Sequence, residues 1–247
     1  WYEKEAVFYA YRHRLLMKII NQWLPISEMD KSTHLTLLKT DLWNEAISAD
    51  DIVSHLAKEN MECLGIEVSS HVAKSAIQNF ARRGMRQMIS PVLGDINKMP
   101  FSDEKFDFII SCSTLDHMAQ DDVKRSLLET YRILKPKGTA IITVDNLTYI
   151  WLRPLIYRLF KRARLDDLLS AILRRSALWW PYSFWEFRTF IEDAGFRIKD
   201  WKGMILAPAV LHGLILTNEE MLRVLEKFEK IRILDWMKSE LVFKCTK

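Results

Sequence analysis

The spacing of apolar positions changes period along the chain. Over residues 2–24 apolar side chains recur at helical intervals (Val7, Tyr11, Leu15, Ile19, Trp23), and the pattern stops before Pro25. The period then shortens. Five short apolar runs end in polar residues: HLTLLKTD (34–41), MECLGIEV (61–68), MISPVLGD (88–95), FDFIISCS (106–113) and GTAIITVD (138–145). Helical patterns over 50–60, 70–84 and 121–134 lie between them. Strands alternating with helices predict βαβ units and a parallel sheet. The near-continuous apolar runs predict strands covered on both faces.

After Asp145 the alternation pauses. Residues 146–180 read as an insertion of one or two amphipathic helices. Order resumes at PYSFWEFRTFIEDAGFRIKDWKG, where Ser183 is placed to cap a helix that ends at Gly195 and leads into a strand. A helix over 218–231 and the strand SELVFKCTK close the chain. No repeat or linker interrupts this order. The expectation is one domain over 1–247, with the helix at 1–25 and the insertion at 146–180 forming a lid.

Composition changes this picture little. The 247 residues are 49% hydrophobic and 28% charged, enough for a sizeable core. The net charge of +4 is too weak and dispersed to argue for nucleic acid. Cys63, Cys112 and Cys245 each sit in a strand-like run without CxxC spacing, which reads as reduced core thiols and a cytoplasmic setting. The six histidines have no ligand spacing with a cysteine, so no metal is expected. The longest uncharged run, 203–218, falls short of the roughly 20 residues that span a bilayer.

In open α/β sheets ligands bind beyond the carboxyl ends of the strands. Those ends carry Lys39-Thr40-Asp41, Glu67, Asp95 and the Ser113–Asp116–His117 segment. A carboxylate at the second strand end suits both hydroxyls of a ribose. One at the third suits an exocyclic amine, with Ile96 packing on the ring. Charge-assisted bonds of this kind contribute roughly 1.5–3 kcal/mol each.

The segments VLGDINKMPFSDEKFDFIISCSTLDHM and SLLETYRILKPKGTAIITV resemble the central half of the S-adenosylmethionine-dependent methyltransferases with the Rossmann-like seven-stranded fold. PYSFWEFRTFIEDAGFRI resembles their later helix–strand unit. The resemblance implies a doubly wound, mostly parallel α/β sheet in the order 3-2-1-4-5-7-6, with helices on both faces and S-adenosylmethionine as cofactor. It also implies cofactor contacts at Glu67, Val68, Asp95, Ile96 and, after the fourth strand, Ser113.

LLKTDLWNEA (37–46) departs from the family, which has a glycine-rich turn after the first strand. Either cofactor binding is lost, leaving a catalytically silent binding or scaffold subunit, or side chains replace the bare backbone. In the second case Lys39 meets the methionine carboxylate, Asp41 or Glu45 its ammonium group, and Thr40 either one.

Methyl transfer needs an aligned nucleophile and, for a hydroxyl, a base. His117 is the expected base, with Asp116 orienting it or serving in its place. In the insertion, YIWLRPLIYRLFKRARL sets an aromatic, apolar stripe against Arg153, Arg158, Lys161, Arg162 and Arg164. That pattern fits a lid over the pocket or peripheral membrane contact through 149–164. Either favours a small-molecule or lipid-like acceptor.

Overall fold

The computed structural model describes residues 2–24, 26, 29–30, 32–48, 51–147, 181–205 and 219–247. The expected stripe on 149–164 and most of the 146–180 insertion lie outside them. Helix α1 (Tyr2–Trp23) leads to β1 (Leu35–Lys39), followed by two short helices, α2 (Trp43–Ile47) and α3 (Ile52–Leu56). Then come β2 (Met61–Glu67), α4 (Ser70–Arg82), β3 (Ser90–Leu93), β4 (Phe106–Cys112), α5 (Gln120–Ile133) and β5 (Leu134–Asp145). After the insertion stand α6 (Phe184–Asp193), β6 (Arg197–Met204), α7 (Glu219–Glu229) and β7 (Glu240–Thr246).

The seven strands form one sheet in the order β3-β2-β1-β4-β5-β7-β6. The first five pair in parallel, whereas β7 runs antiparallel to both neighbours. Strand parity sorts the core into two layers. On one face Tyr11, Leu16 and Ile20 of α1, Val53 of α3 and Phe80 of α4 join Leu37, Cys63, Ile110 and Val242. On the other, Val123 and Leu127 of α5 and Phe187 and Ile191 of α6 join Leu38, Leu64, Ile109, Ile142 and Phe243. Helix α1 is thus part of a core layer as well as a neighbour of the strand ends. All three cysteines are buried thiols.

Beyond shifts of one to two residues at element ends, the structure departs from the sequence reading in three places. Asp51 caps Ser54 N–H, so the helix expected over 50–60 shortens to Ile52–Leu56. The turn after β1 coils into α2, which the pattern did not predict. Strand β5 starts at Leu134, because Leu134 already pairs with Phe106 before the LKPKG segment bulges out and pairing resumes at Thr139. Lys137 carries a φ of 66° in that bulge. Ser183 does cap its helix, accepting from Glu186 N–H, and Gly195 turns the chain into β6 at φ 98°.

Candidate cofactor and acceptor site

The carboxyl ends of β1, β2 and β4 meet at the glycine-free turn. Lys39 shares strand parity with Leu35 and Leu37, so its side chain enters the α1 face and has no exposed surface. Its Nζ donates to the Asp41 carboxylate at 2.7 Å and to the Asp41 carbonyl at 3.1 Å, and lies 3.9 Å from Glu45 Oε2. Burial works to lower the ammonium's pKa, but the Asp41 and Glu45 carboxylates overcome it and hold it above the usual lysine value. Lys39 is therefore engaged inside the fold, where the sequence reading expected it to face a ligand carboxylate.

Asp41 is the group this arrangement presents. Its carboxylate also accepts from Thr114 Oγ1 at 2.9 Å and from Trp43 N–H at 3.3 Å, yet 19% of the side chain stays exposed. Glu45 lies fully buried behind it, with neither oxygen hydrogen-bonded. Burial raises that carboxyl to about 7, against the pull of Lys39. Thr40 Oγ1 is also buried and unpartnered. Leu42 packs down on β2 so closely that a Cβ at Gly65 would meet its Cδ2 at 2.3 Å. The bare backbone has moved from the turn to the neighbouring strand.

Glu67, only 9% exposed, ends β2 and braces this turn: its two oxygens accept from Leu42 N–H at 3.1 Å and Ser69 N–H at 2.9 Å. Each carboxylate oxygen has two lone pairs, so both retain acceptor capacity. Val68 is 80% exposed beside it. Asp95 is exposed and accepts from Asn97 N–H at 2.8 Å, next to the buried Ile96.

A second group of polar side chains gathers at the ends of β4, β5 and β7. Ser113 turns the chain after β4 at φ 51°, and its N–H donates to Thr143 Oγ1 at 3.0 Å. Its hydroxyl accepts from Arg12 Nη2 at 2.6 Å. Arg12, reaching over from α1, also holds both oxygens of Glu240, at 2.5 and 2.8 Å. Asp145 stands directly opposite Glu240 in the β5–β7 pairing. Asp116 is 1% exposed with Oδ1 unpartnered, and the phenol of Tyr182, also 1% exposed, has no partner either.

Burial raises the Asp116 carboxyl well above its ordinary value, and the nearby charges of Asp145 and Glu240 add to this against Arg12. His117 lies at the rim, 56% exposed, with Nε2 3.6 Å from Asp116 Oδ2. Of the two residues singled out as base, Asp116 occupies the interior and His117 the surface. Arg12, Tyr182 and Glu240 were not singled out as site residues by the sequence reading, and Glu45, expected to meet the ammonium group, lies behind Asp41 instead. A signal existed for Arg12, which stands four residues before Leu16 and eight before Ile20 on the buried side of α1.

The residues fit the cofactor that the resemblance implies. Glu67 and Asp95 offer acceptors for the adenosine half, and Asp41 offers a fixed carboxylate for a cationic end. Trp43 is 60% exposed rather than folded into the turn.

Residues 48–142 match the family described as Methyltransferase domain. The chain is 24% identical over 158 residues to the mitochondrial 2-methoxy-6-polyprenyl-1,4-benzoquinol methylase of Xenopus laevis, covering 60% of this chain and 49% of that one. It spans about half the length of the curated relatives it matches. Among solved structures, a SAM dependent methyltransferase from Aquifex aeolicus superposes with a TM-score of 0.52 at 16% identity, covering 92% of this chain and 90% of that one. The [4+2]-cyclase SpnF superposes with a TM-score of 0.60 at 15% identity, covering 94% and 80%. These two likenesses establish the fold alone, and the cyclase illustrates that one fold hosts different chemistries. The sheet order and the methyltransferase-domain match over residues 48–142 together support the resemblance to the S-adenosylmethionine-dependent methyltransferases with the Rossmann-like fold.

Proposed function

We propose that this chain transfers a methyl group from S-adenosylmethionine to a small or lipid-like acceptor, with a hydroxyl oxygen as the receiving atom. The observation that carries this reading is Asp116: a buried carboxyl with one unpartnered oxygen and a raised pKa, at the end of β4. A carboxylate so raised is a stronger base than an exposed one and suits removal of a hydroxyl proton. The cofactor, when bound, supplies an electrophilic methyl group on a sulfonium. Glu67 accepts from the ribose hydroxyls, Asp95 from the adenine amine beside Ile96, and Asp41 from the ammonium group. Lys39 positions Asp41. Arg12 keeps Glu240 paired, and Tyr182 offers its phenol to the acceptor. The Xenopus relative is by name a methylase of a polyprenyl-substituted benzoquinol, which supports a lipid-like acceptor here.

A second reading, a silent scaffold, draws on the Leu42–Gly65 contact and on the use of Glu67 to brace the turn. Calorimetry separates the two. S-Adenosylhomocysteine should bind in the micromolar range, about −7 to −9 kcal/mol. Asp41→Asn should weaken it by roughly 1.5–3 kcal/mol. Absence of heat and of thermal shift at millimolar ligand would select the scaffold.

A further inference from the structure

The stretch 222–237, formed by most of α7 and the 3-10 turn Arg232–Met237, sorts its side chains by charge. The apolar residues Val224 (50%), Phe228 (44%), Ile231 (39%), Ile233 (78%) and Trp236 (49%) are exposed. Every other exposed side chain there is basic: Arg223, Lys227, Lys230 and Arg232. The acids are turned inward or half-buried. Glu229 accepts from Ile205 N–H and faces Lys238, Asp235 pairs with the buried Lys238, and Glu226 pairs with Arg14. Leu222 and Leu225 supply the face of α7 that packs on the core. Val224 and Phe228, four apart, form the exposed margin of that apolar side, and Ile231 continues it past the end of α7.

We propose that this face docks on the anionic surface of a lipid bilayer. An exposed aromatic and aliphatic strip flanked by Lys and Arg, with the acids of the stretch buried or ion-paired, matches an interface of acyl chains beneath negative headgroups. A second copy of the chain fits poorly, because a twofold contact would set the same basic residues against each other. Lysine is also depleted from the cores of protein interfaces. The face lies next to the candidate acceptor site. Asn146, which follows Asp145 and bridges to Tyr182, donates to the carbonyls of Trp236 and Lys238 at 2.9 and 2.8 Å. Docking would thus bring the ends of β5 and β7 close to the bilayer. The docking does not rest on the methyl-transfer reading.

Sedimentation of the full chain with vesicles tests it, comparing pure phosphatidylcholine with phosphatidylcholine containing phosphatidylserine. Binding should need the anionic lipid and fall as salt rises. The exposed pair Lys227→Glu/Lys230→Glu should cut it at least tenfold without changing the melting temperature. Phe228→Ser/Trp236→Ser should weaken it while leaving the salt dependence. No pull-down at low salt would overturn the proposal. So would full binding by both double variants, or loss confined to Arg158→Glu/Arg162→Glu in the insertion. A concentration-dependent dimer that Phe228→Ser/Trp236→Ser abolishes, without vesicle binding, would assign the face to self-association instead.

Discussion

The two halves of the candidate site handle buried charge differently. At the end of β1, one ammonium sits between two carboxylates, and the most buried of these, Glu45, is raised to about 7. At the ends of β4, β5 and β7, Arg12 is committed to Glu240, while Asp116 keeps an oxygen without a hydrogen bond. The first arrangement fixes a carboxylate in place. The second leaves a buried carboxyl oxygen without a partner. On the proposed function, holding and reacting fall to different strand ends of the same sheet edge.

Asp116→Asn should break this contrast most severely. It keeps shape and removes the base, so kcat should fall about 10²–10⁴-fold. The affinity for S-adenosylhomocysteine should stay within about threefold, since the change lies outside the cofactor half. Equal loss in His117→Gln would return the base role to the surface.

Lys39→Met acts on stability. It leaves Asp41 and Glu45 without their cation, and breaking such a buried pair costs about 3–5 kcal/mol in urea unfolding. The loss should be smaller at pH 5, where Glu45 carries its proton, than at pH 8. A pH-independent loss would mean that Lys39 acts by packing alone.

Glu45→Gln is the smallest and sharpest test. The folded carboxyl titrates at about 7, above its ordinary 4.5, so the folded state holds the proton more tightly than the unfolded one. Its contribution is complete below about 4.5 and is lost as pH rises towards 7. The glutamine variant lacks that decline. Its melting temperature relative to the natural chain should therefore rise between pH 5 and pH 8, by roughly 2–4 °C for each 1 kcal/mol. A constant difference would remove the titration from Glu45.

Much of the frame was legible because strands buried on two faces cannot hide their composition. The runs ending at Lys39, Glu67, Asp95 and Ser113 placed the strand ends, and the family resemblance supplied the strand order. Individual side-chain roles were harder to read. Lys39 follows Leu35 and Leu37 in parity, a sign that it points into the fold, yet a lysine at a strand end reads first as a ligand contact. The pairing of Arg12 with Glu240 joins residues 228 apart in sequence and leaves no local trace. The Asp145–Glu240 register depends on β7 entering antiparallel, which a count of apolar residues does not reveal.

That late strand has a consequence for assembly. Strand β7 lies between β5 and β6, so β6 has no place on the sheet until the last strand arrives. Glu240 comes with it, and only then does Arg12 gain its carboxylate partner. Contacts of such sequence separation form slowly, because the chain entropy of the loop must be lost first. Glu240, one of the charges around the Asp116 carboxyl, is thus in place only once β7 has paired. A nascent chain that has not yet released β7 would hold the turn after β1 while Arg12 still lacked its carboxylate.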